Sequence, residues 1–218
     1  MKKVILNSVF LSLLILMSCN NSKEVEETKD SLVKSDQEKV KDYSGTIKDL
    51  MPIEQGQNFV MQTQNELAKN LMNEINTKGT EHALTFCSAK AYPLTDSMAQ
   101  SLDIQIKRVS DRTRNPNNKA NKHEAAYITK SKRLLAKGEI IKPEMTETNK
   151  KMVGYYPILT NKMCMQCHGN QDTEVLSETL VQIKKLYPND KAIDYKTNEL
   201  RGIWVVEMNN KNTLHNSI

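Results

Sequence analysis

The sequence is poor in the features that mark membrane-spanning and nucleic-acid-binding chains. No apolar run reaches the ~20 residues that a transmembrane helix requires, and the longest, over residues 4–17, is interrupted by Asn7, Ser8 and Ser12. The excess of one charge over the other is small, because the chain has 31 Lys and Arg residues and 26 Asp and Glu residues. Aromatic residues make up only 5% of the chain. The run length argues against a retained transmembrane helix, and the mixed charge argues against a nucleic-acid partner.

The N-terminus has instead the features of an export signal. Lys2 and Lys3 form a short positive leader before the apolar stretch, which ends in Leu16-Met17-Ser18-Cys19. This ending resembles a bacterial lipobox, which implies cleavage before Cys19 and attachment of lipid to its thiol. We therefore expect residues 1–18 to be a lipoprotein-type signal peptide. The mature chain would be an exported lipoprotein that is anchored to a membrane, at the periplasmic face or the cell surface.

The segment that follows the signal is charged and has few apolar positions. Removal of Lys2 and Lys3 with the signal lowers the formal net charge from +5 to +3. Lys and Glu alternate through much of residues 19–56, so this segment can bury little apolar surface. We interpret it as a flexible linker, with partial helix formation as the alternative.

Cysteine is also scarce, and its placement is the most informative feature of the chain. Two of the four cysteines lie in Cys164-Met165-Gln166-Cys167-His168, the attachment signature of a c-type haem. In such a site both thiols form thioether bonds to the porphyrin, and the adjacent imidazole becomes an axial ligand of the iron. A zinc site would need a second ligand pair, which the sequence lacks. A thiol redox centre or a plain disulfide is the remaining alternative to one covalent haem c.

Hydrophobic periodicity predicts an α+β fold, with helices first and an antiparallel sheet after them. Gly79 is expected to end the first helix, and Pro93 to kink or restart the second. The predicted helices cover residues 58–78, 80–102, 123–137 and 173–186, and the predicted strands cover 104–109, 140–147, 151–159 and 202–208, with a hairpin turn at 148–150. We assign residues 57–209 to one domain and residues 210–218 to a C-terminal tail.

The residues alone leave the second axial ligand of the iron open. Methionine and histidine side chains are possible ligands, but core packing explains the methionines and surface positions explain the histidines without any bond to iron. These options are Met98, Met145, Met152, Met208, His82, His123 and His215. Cys87 has no other assignment and lies in an apolar stripe, where a buried structural thiol is the alternative. A thiolate ligand would favour ferric iron and lower the reduction potential.

Five segments resemble, in the same order, the PAS-like c-type haem domain family that is known from a cyanobacterial protein and from sensor kinases. They are Ala83–Cys87, Arg112–Asn118, Tyr156–Ile158, Cys164–Gly169 and Leu200–Gly202. This family was long described as a domain of unknown function. The resemblance implies a PAS-like fold over residues 57–209, with His168 and Cys87 as the axial ligands. It also implies that Arg112, Arg114, Asn115 and Pro116 lie near the haem, with a propionate held by Arg112 or Arg114; a solvated turn is the alternative for this loop.

We therefore predict a lipid-anchored monohaem protein with a redox role, either single-electron transfer or redox sensing. A labile thiolate ligand favours sensing, whereas the lack of a following kinase or signalling segment favours electron transfer. Either role needs an unidentified redox or signalling protein as partner. A haem-based sensor of diatomic gases and a haem-free thiol module are the alternatives. An enzyme is not favoured, because no distal acid–base pair can be assigned and only His82 is a remote candidate for a peroxidase.

Overall fold

The computed structural model describes residues 50–209. The predictions of a signal peptide, of lipid at Cys19 and of a C-terminal tail concern residues outside this range, as does the ligand option His215. Over the described part, no helix has the length and apolar character needed to cross a bilayer.

Within residues 50–209, four helices and four strands form an α+β fold, as the periodicity predicts. In chain order they are α1 (Pro52–Leu102), β1 (Gln105–Val109), α2 (Lys122–Ala136), β2 (Glu144–Thr148), β3 (Lys151–Leu159), α3 (Met165–His168), α4 (Ser177–Leu186) and β4 (Leu200–Asn209), with short 3-10 turns at Pro116–Asn118 and Lys162–Cys164. The strands make one sheet in the order β1-β4-β3-β2, and every neighbouring pair is antiparallel. The last strand in the chain therefore lies inside the sheet.

The long helix α1 is broken at Gly79 and continues through Pro93. Gly79 has φ 84° and ψ 171°, a region open essentially to glycine alone, so the predicted end of one helix and start of another are confirmed there. The helix does not restart at Pro93, which was one of the two predicted outcomes, because no residue of α1 other than Gly79 leaves helical dihedral angles. Pro93 removes one hydrogen bond to Ala89, and Ala89 is exposed, so solvent can take the place of that donor. The helix also begins at Pro52, earlier than the predicted start at Asn58.

The β2–β3 hairpin has a two-residue turn, within the predicted region. Asn149 and Lys150 have φ values of 51° and 61°, which is the pattern of a type I′ turn. Strand β2 begins at Glu144, paired with Tyr155, and not at the predicted Ile140, which is 83% exposed. Prolines at positions 143 and 157 have no N–H to donate to the neighbouring strand. The pairing of β2 with β3 therefore does not extend past Glu144 and Tyr155.

Each face of the sheet packs against a different helix. On one face, Tyr156, Trp204 and Val206 pack against Val60 of α1. On the other face, Ile203 and Val205 pack against Tyr127 and Ile128 of α2. Helix α4 starts at Ser177, later than the predicted Thr173, because the side chain of Asn170 accepts hydrogen bonds from the backbone at Asp172 and Thr173 and forms a turn there.

Candidate functional site

A cavity of about 310 Å³ lies beside α1 on both sides of the break at Gly79, between this helix, one end of the sheet and the segment that contains α3. Its wall brings together groups that are far apart in the sequence, namely those of Cys87, Arg108, Arg114, Cys164, Cys167, His168 and Arg201. Much of the remaining wall is apolar and includes Leu71, Ile75, Leu84, Ile158 and Met163. An apolar enclosure with a few convergent polar groups is the usual form of a cofactor site.

The two motif cysteines and the motif histidine lie on one side of a short helical segment. After β3 ends at Leu159, the chain passes through the 3-10 turn at Lys162–Cys164 into α3, Met165–His168. The side chain of Asn161 caps this entry by accepting a hydrogen bond from the backbone N–H of Cys164 at 3.2 Å. Positions 164, 167 and 168 are three and four residues apart, so their side chains share a helix face. That face is part of the cavity wall.

The imidazole of His168 is held in one tautomer by a backbone carbonyl. Its Nδ1 lies 2.7 Å from the carbonyl oxygen of Ala192, and because a carbonyl only accepts, Nδ1 carries the proton and donates it. Nε2 therefore keeps its lone pair, which is the arrangement of most metal-ligating histidines. Burial, followed by the positive charges of Arg114 and Arg201, lowers the pKa of His168 well below its usual value. The ring is neutral at pH 7 and able to ligate a metal.

Arg114 and Asp190 form a buried ion pair that fixes the backbone around His168. Nη2 of Arg114 lies 2.9 Å from Oδ2 of Asp190, and the two side chains are 11% and 7% exposed. The same Nη2 donates to the carbonyl oxygen of Cys167 at 2.6 Å and to that of Ala192 at 3.3 Å. The backbone N–H of Ala192 in turn donates to Oδ1 of Asp190 at 2.8 Å. The ion pair thus positions the carbonyl that accepts from the histidine.

The predicted Arg-Asn-Pro loop is only partly in the cavity wall. Arg114 and Asn115 line the cavity, whereas Arg112 and Pro116 do not. The guanidinium of Arg112 donates to the carbonyl oxygens of Lys191 and Ile193. It also lies over the ring of Tyr195, 4.2 Å from the centroid. Arg112 therefore braces the loop behind the motif.

Among the predicted second ligands that lie within residues 50–209, Cys87 is the one that the fold brings to the cavity. It is a free, half-buried thiol, as Cys164 and Cys167 are. Burial raises the pKa of Cys87, while the positive charge of Arg108 and then that of Arg114 lower it. The described methionine and histidine options do not line the cavity; these are Met98, Met145, Met152, Met208, His82 and His123. His82 pairs instead with Glu74 at 2.8 Å.

Two cationic wall residues were not predicted as site residues. Arg108 lies in the predicted strand 104–109, and Arg201 lies in the segment Leu200–Gly202 that resembles the family; neither was predicted to bind the cofactor. Arg108 follows the buried Ile106 by two positions and so shares its face of β1. A charged residue on the apolar face of a strand is the signal that could have identified it. Within residues 50–209, no three His, Cys, Asp or Glu side chains are grouped so that they could hold a metal ion by themselves, as a structural zinc site would require.

Comparison with known proteins gives one family and one fold. The sequence model of the Tll0287-like family, described as Tll0287, matches residues 22–209. The crystal structure of the cyanobacterial heme-protein Tll0287 superposes with a TM-score of 0.53 and 18% sequence identity, covering 73% of this chain and 97% of that chain. The superposition shows a shared fold. No curated protein sequence matches the chain.

Proposed function

Because the chain belongs to the Tll0287-like family, we propose that it is an exported, lipid-anchored protein with one covalently attached haem c and a redox role. The relative of known structure is a heme protein. The observation that carries the proposal is the meeting of Cys164, Cys167 and His168 with Cys87 around one cavity. The proposal includes a PAS-like fold for the sheet and its helices, and it includes lipid attachment at Cys19.

The residues of the cavity fit a covalently bound haem. Cys164 and Cys167 are free thiols on the same helix face as His168, which suits two thioether bonds and one axial bond. The hydrogen bond from Nδ1 of His168 to Ala192 leaves Nε2 available to iron. The apolar wall, with Leu71, Ile75 and Leu84 among its residues, suits the faces of a porphyrin.

A haem in this cavity would supply a one-electron iron couple. His168 would provide a neutral nitrogen ligand, oriented by the Ala192 carbonyl. Cys87 would provide the second ligand as a thiolate. Burial outweighs the opposing charge of Arg108 and raises the pKa of this thiol, so the bond to iron itself would have to stabilise the thiolate. An anionic ligand favours ferric iron, so these side chains suit a low-potential electron carrier or redox sensor.

A gas sensor acting through a partner protein is the second candidate. The break at Gly79 separates the half of α1 that bears Cys87 from the half that packs on the sheet. A ligand change at Cys87 would then reach the surface through the second half of α1.

The unpaired state of Cys164 and Cys167 also suits a haem-free thiol module, which absorption spectroscopy distinguishes at once.

The proposal is tested by the intact mass of the chain made in a bacterium that attaches haem to exported proteins. We expect a mature chain that begins at Cys19, carries lipid, and has the added mass of one haem that acid–acetone extraction does not remove. The matched control is Cys164→Ala/Cys167→Ala, which should lack the covalent haem mass. A purified wild-type protein with neither tetrapyrrole mass nor Soret band would refute the haem proposal.

A further inference from the structure

The described wall of the cavity contains three arginines and no carboxylate. We propose that two of them, Arg108 and Arg201, form an anion seat for the two propionate groups of the haem, whereas Arg114 is a positioning residue. This inference rests on the proposed function, because it names the residues that would hold the acidic edge of the same cofactor. It replaces the expectation that Arg112 or Arg114 binds a propionate.

Arg201 enters the cavity wall because the sheet is irregular at this position. Ile158 pairs with Gly202 and Leu159 pairs with Leu200, so Arg201 is the extra residue of a bulge. Bulges commonly redirect a side chain next to a functional site. Gly202 permits the close approach of β1, since a Cβ there would lie 2.5 Å from the carbonyl oxygen of Val109.

The guanidinium of Arg201 has a buried donor without a hydrogen-bond partner, and the neighbouring hydroxyl of Tyr195 is likewise buried and unpaired. Its Nη1 donates to Oγ of Ser110 at 3.1 Å and to the carbonyl oxygen of Arg112 at 3.2 Å. Its Nε is buried and has no hydrogen-bond partner. Buried donors are nearly always paired, and Arg201 lines the cavity, so an acceptor bound there would complete the hydrogen bonds that Ser110, Arg112 and the Tyr195 hydroxyl leave unmade.

Arg108 is a second cation, and among the described residues it has no carboxylate partner. It lies opposite Trp204 on the neighbouring strand, with its guanidinium 5.2 Å from the centroid of the indole ring. Among residues 50–209, no carboxylate lies within ion-pair distance of it; the charged or titratable groups nearest to it are those of Cys87, Tyr92 and Tyr187. A largely buried guanidinium without a carboxylate is rare, and it favours an anionic ligand.

The charges around the cavity match two propionates. Asp190 neutralises Arg114 at 2.9 Å, and the remaining hydrogen bonds of Arg114 go to backbone carbonyls. Arg108 and Arg201 therefore have no carboxylate of the described residues in contact, although the Cys87 thiol lies near Arg108 and the charge of Asp190 also acts on Arg201. Haem carries two carboxylates, so one molecule would supply the missing negative charge.

The test compares haemin with haemin dimethyl ester, in which both propionates are uncharged. Without its two thiols, the Cys164→Ala/Cys167→Ala variant of the full chain can form no thioether, so we expect it to bind either form reversibly, with the affinity measured from the Soret band. We expect the ester to bind roughly tenfold more weakly than haemin for each charge-assisted hydrogen bond it loses. Adding Arg108→Gln/Arg201→Gln to this variant should lower its affinity for haemin by a similar factor, so that haemin no longer binds more tightly than its ester. Arg108→Lys/Arg201→Lys, which keeps both charges, should retain part of that preference.

The control is Arg133→Gln, which removes the same charge from an exposed position in the last turn of α2 and should leave both affinities unchanged. Equal binding of haemin and its ester to the parent chain would overturn the inference. So would a preference that persists in the double glutamine variant, or failure of both forms to bind. The proposed function is judged separately, since covalent haem on the unaltered chain would support it even if the ester bound as tightly as haemin.

Discussion

Cys87 illustrates how a single residue sets the properties proposed for this site. In Cys87→Ala we expect a changed ferric spectrum and a reduction potential raised by on the order of a tenth of a volt or more, within the ~0.8 V range that haem axial ligands span. The physical reason is the loss of an anionic ligand that stabilises ferric iron. Spectroelectrochemical titration measures both effects. Ser88→Ala, an exposed position beside it on α1, is the control, and an unchanged spectrum in Cys87→Ala would remove this thiol from the iron.

Asp190 is the residue whose loss should damage the site without touching the cavity wall. Asp190→Asn leaves Arg114 buried without its counter-charge, and breaking a buried pair in this way costs about 3–5 kcal/mol of unfolding free energy. Denaturant unfolding measures the loss. The control is Lys130→Ala, whose pair with Glu144 joins side chains that are 59% and 42% exposed and should contribute less than about 1 kcal/mol. A similar small effect for both variants would show that the Arg114 pair does not support the structure.

At the scale of elements, the break in α1 depends on the dihedral angles of one residue. A Cβ added at Gly79 would meet no atom within 4 Å, so Gly79→Ala tests backbone strain without a clash. Since φ 84° and ψ 171° suit glycine alone, we expect a loss of about 1–3 kcal/mol, seen as a lower midpoint of thermal unfolding. Asn76→Ala, an exposed neighbour with helical dihedral angles, should cost less than ~0.5 kcal/mol. Equal stability of Gly79→Ala and wild type would mean that α1 can straighten there at no cost.

Elements with local signals were predictable from the sequence, and those that depend on tertiary partners were not. The hairpin turn at Asn149-Lys150 and the break at Gly79 follow from neighbouring residues alone. The continuation of α1 through Pro93 could not be predicted in this way, because the exposure of Ala89 is set by the fold.

The candidate site divides in the same way. The Cys-x-x-Cys-His motif is contiguous, so its three side chains could be predicted to share one face, and the family resemblance pointed to Cys87 across the cavity. The place of Arg201 in the wall comes from a bulge that pairing with β3 creates. The binding of Arg114 to Asp190 joins residues far apart in the chain. No local pattern contains such pairings, and for that reason the roles of the arginines needed the structure.

At the scale of the whole molecule, packing joins the Cys87 segment to the helix that follows the motif. Leu84 of α1 packs with Val175 and Ile183, and Cys167 contacts the same cluster. The hydroxyl groups of Thr80 and Thr179 share a buried hydrogen bond of 2.5 Å. These contacts hold both sides of the cavity in one packed unit, which suits electron transfer because a carrier that changes little in shape loses little energy to reorganisation. A sensor would need the same contacts to rearrange.

Amide hydrogen exchange distinguishes these two roles. For a carrier we expect the same exchange in α4 and in the second half of α1 whether the purified protein is oxidised or reduced. Thr179→Val is the positive control for weaker packing between these helices. It leaves the buried hydroxyl of Thr80 unpaired, at a cost of about 1–3 kcal/mol. If these amides open together, their exchange should become at least several-fold faster in both oxidation states. Faster exchange of both helices in only one oxidation state of the wild type would contradict the carrier and favour a redox switch that acts through the Gly79 break.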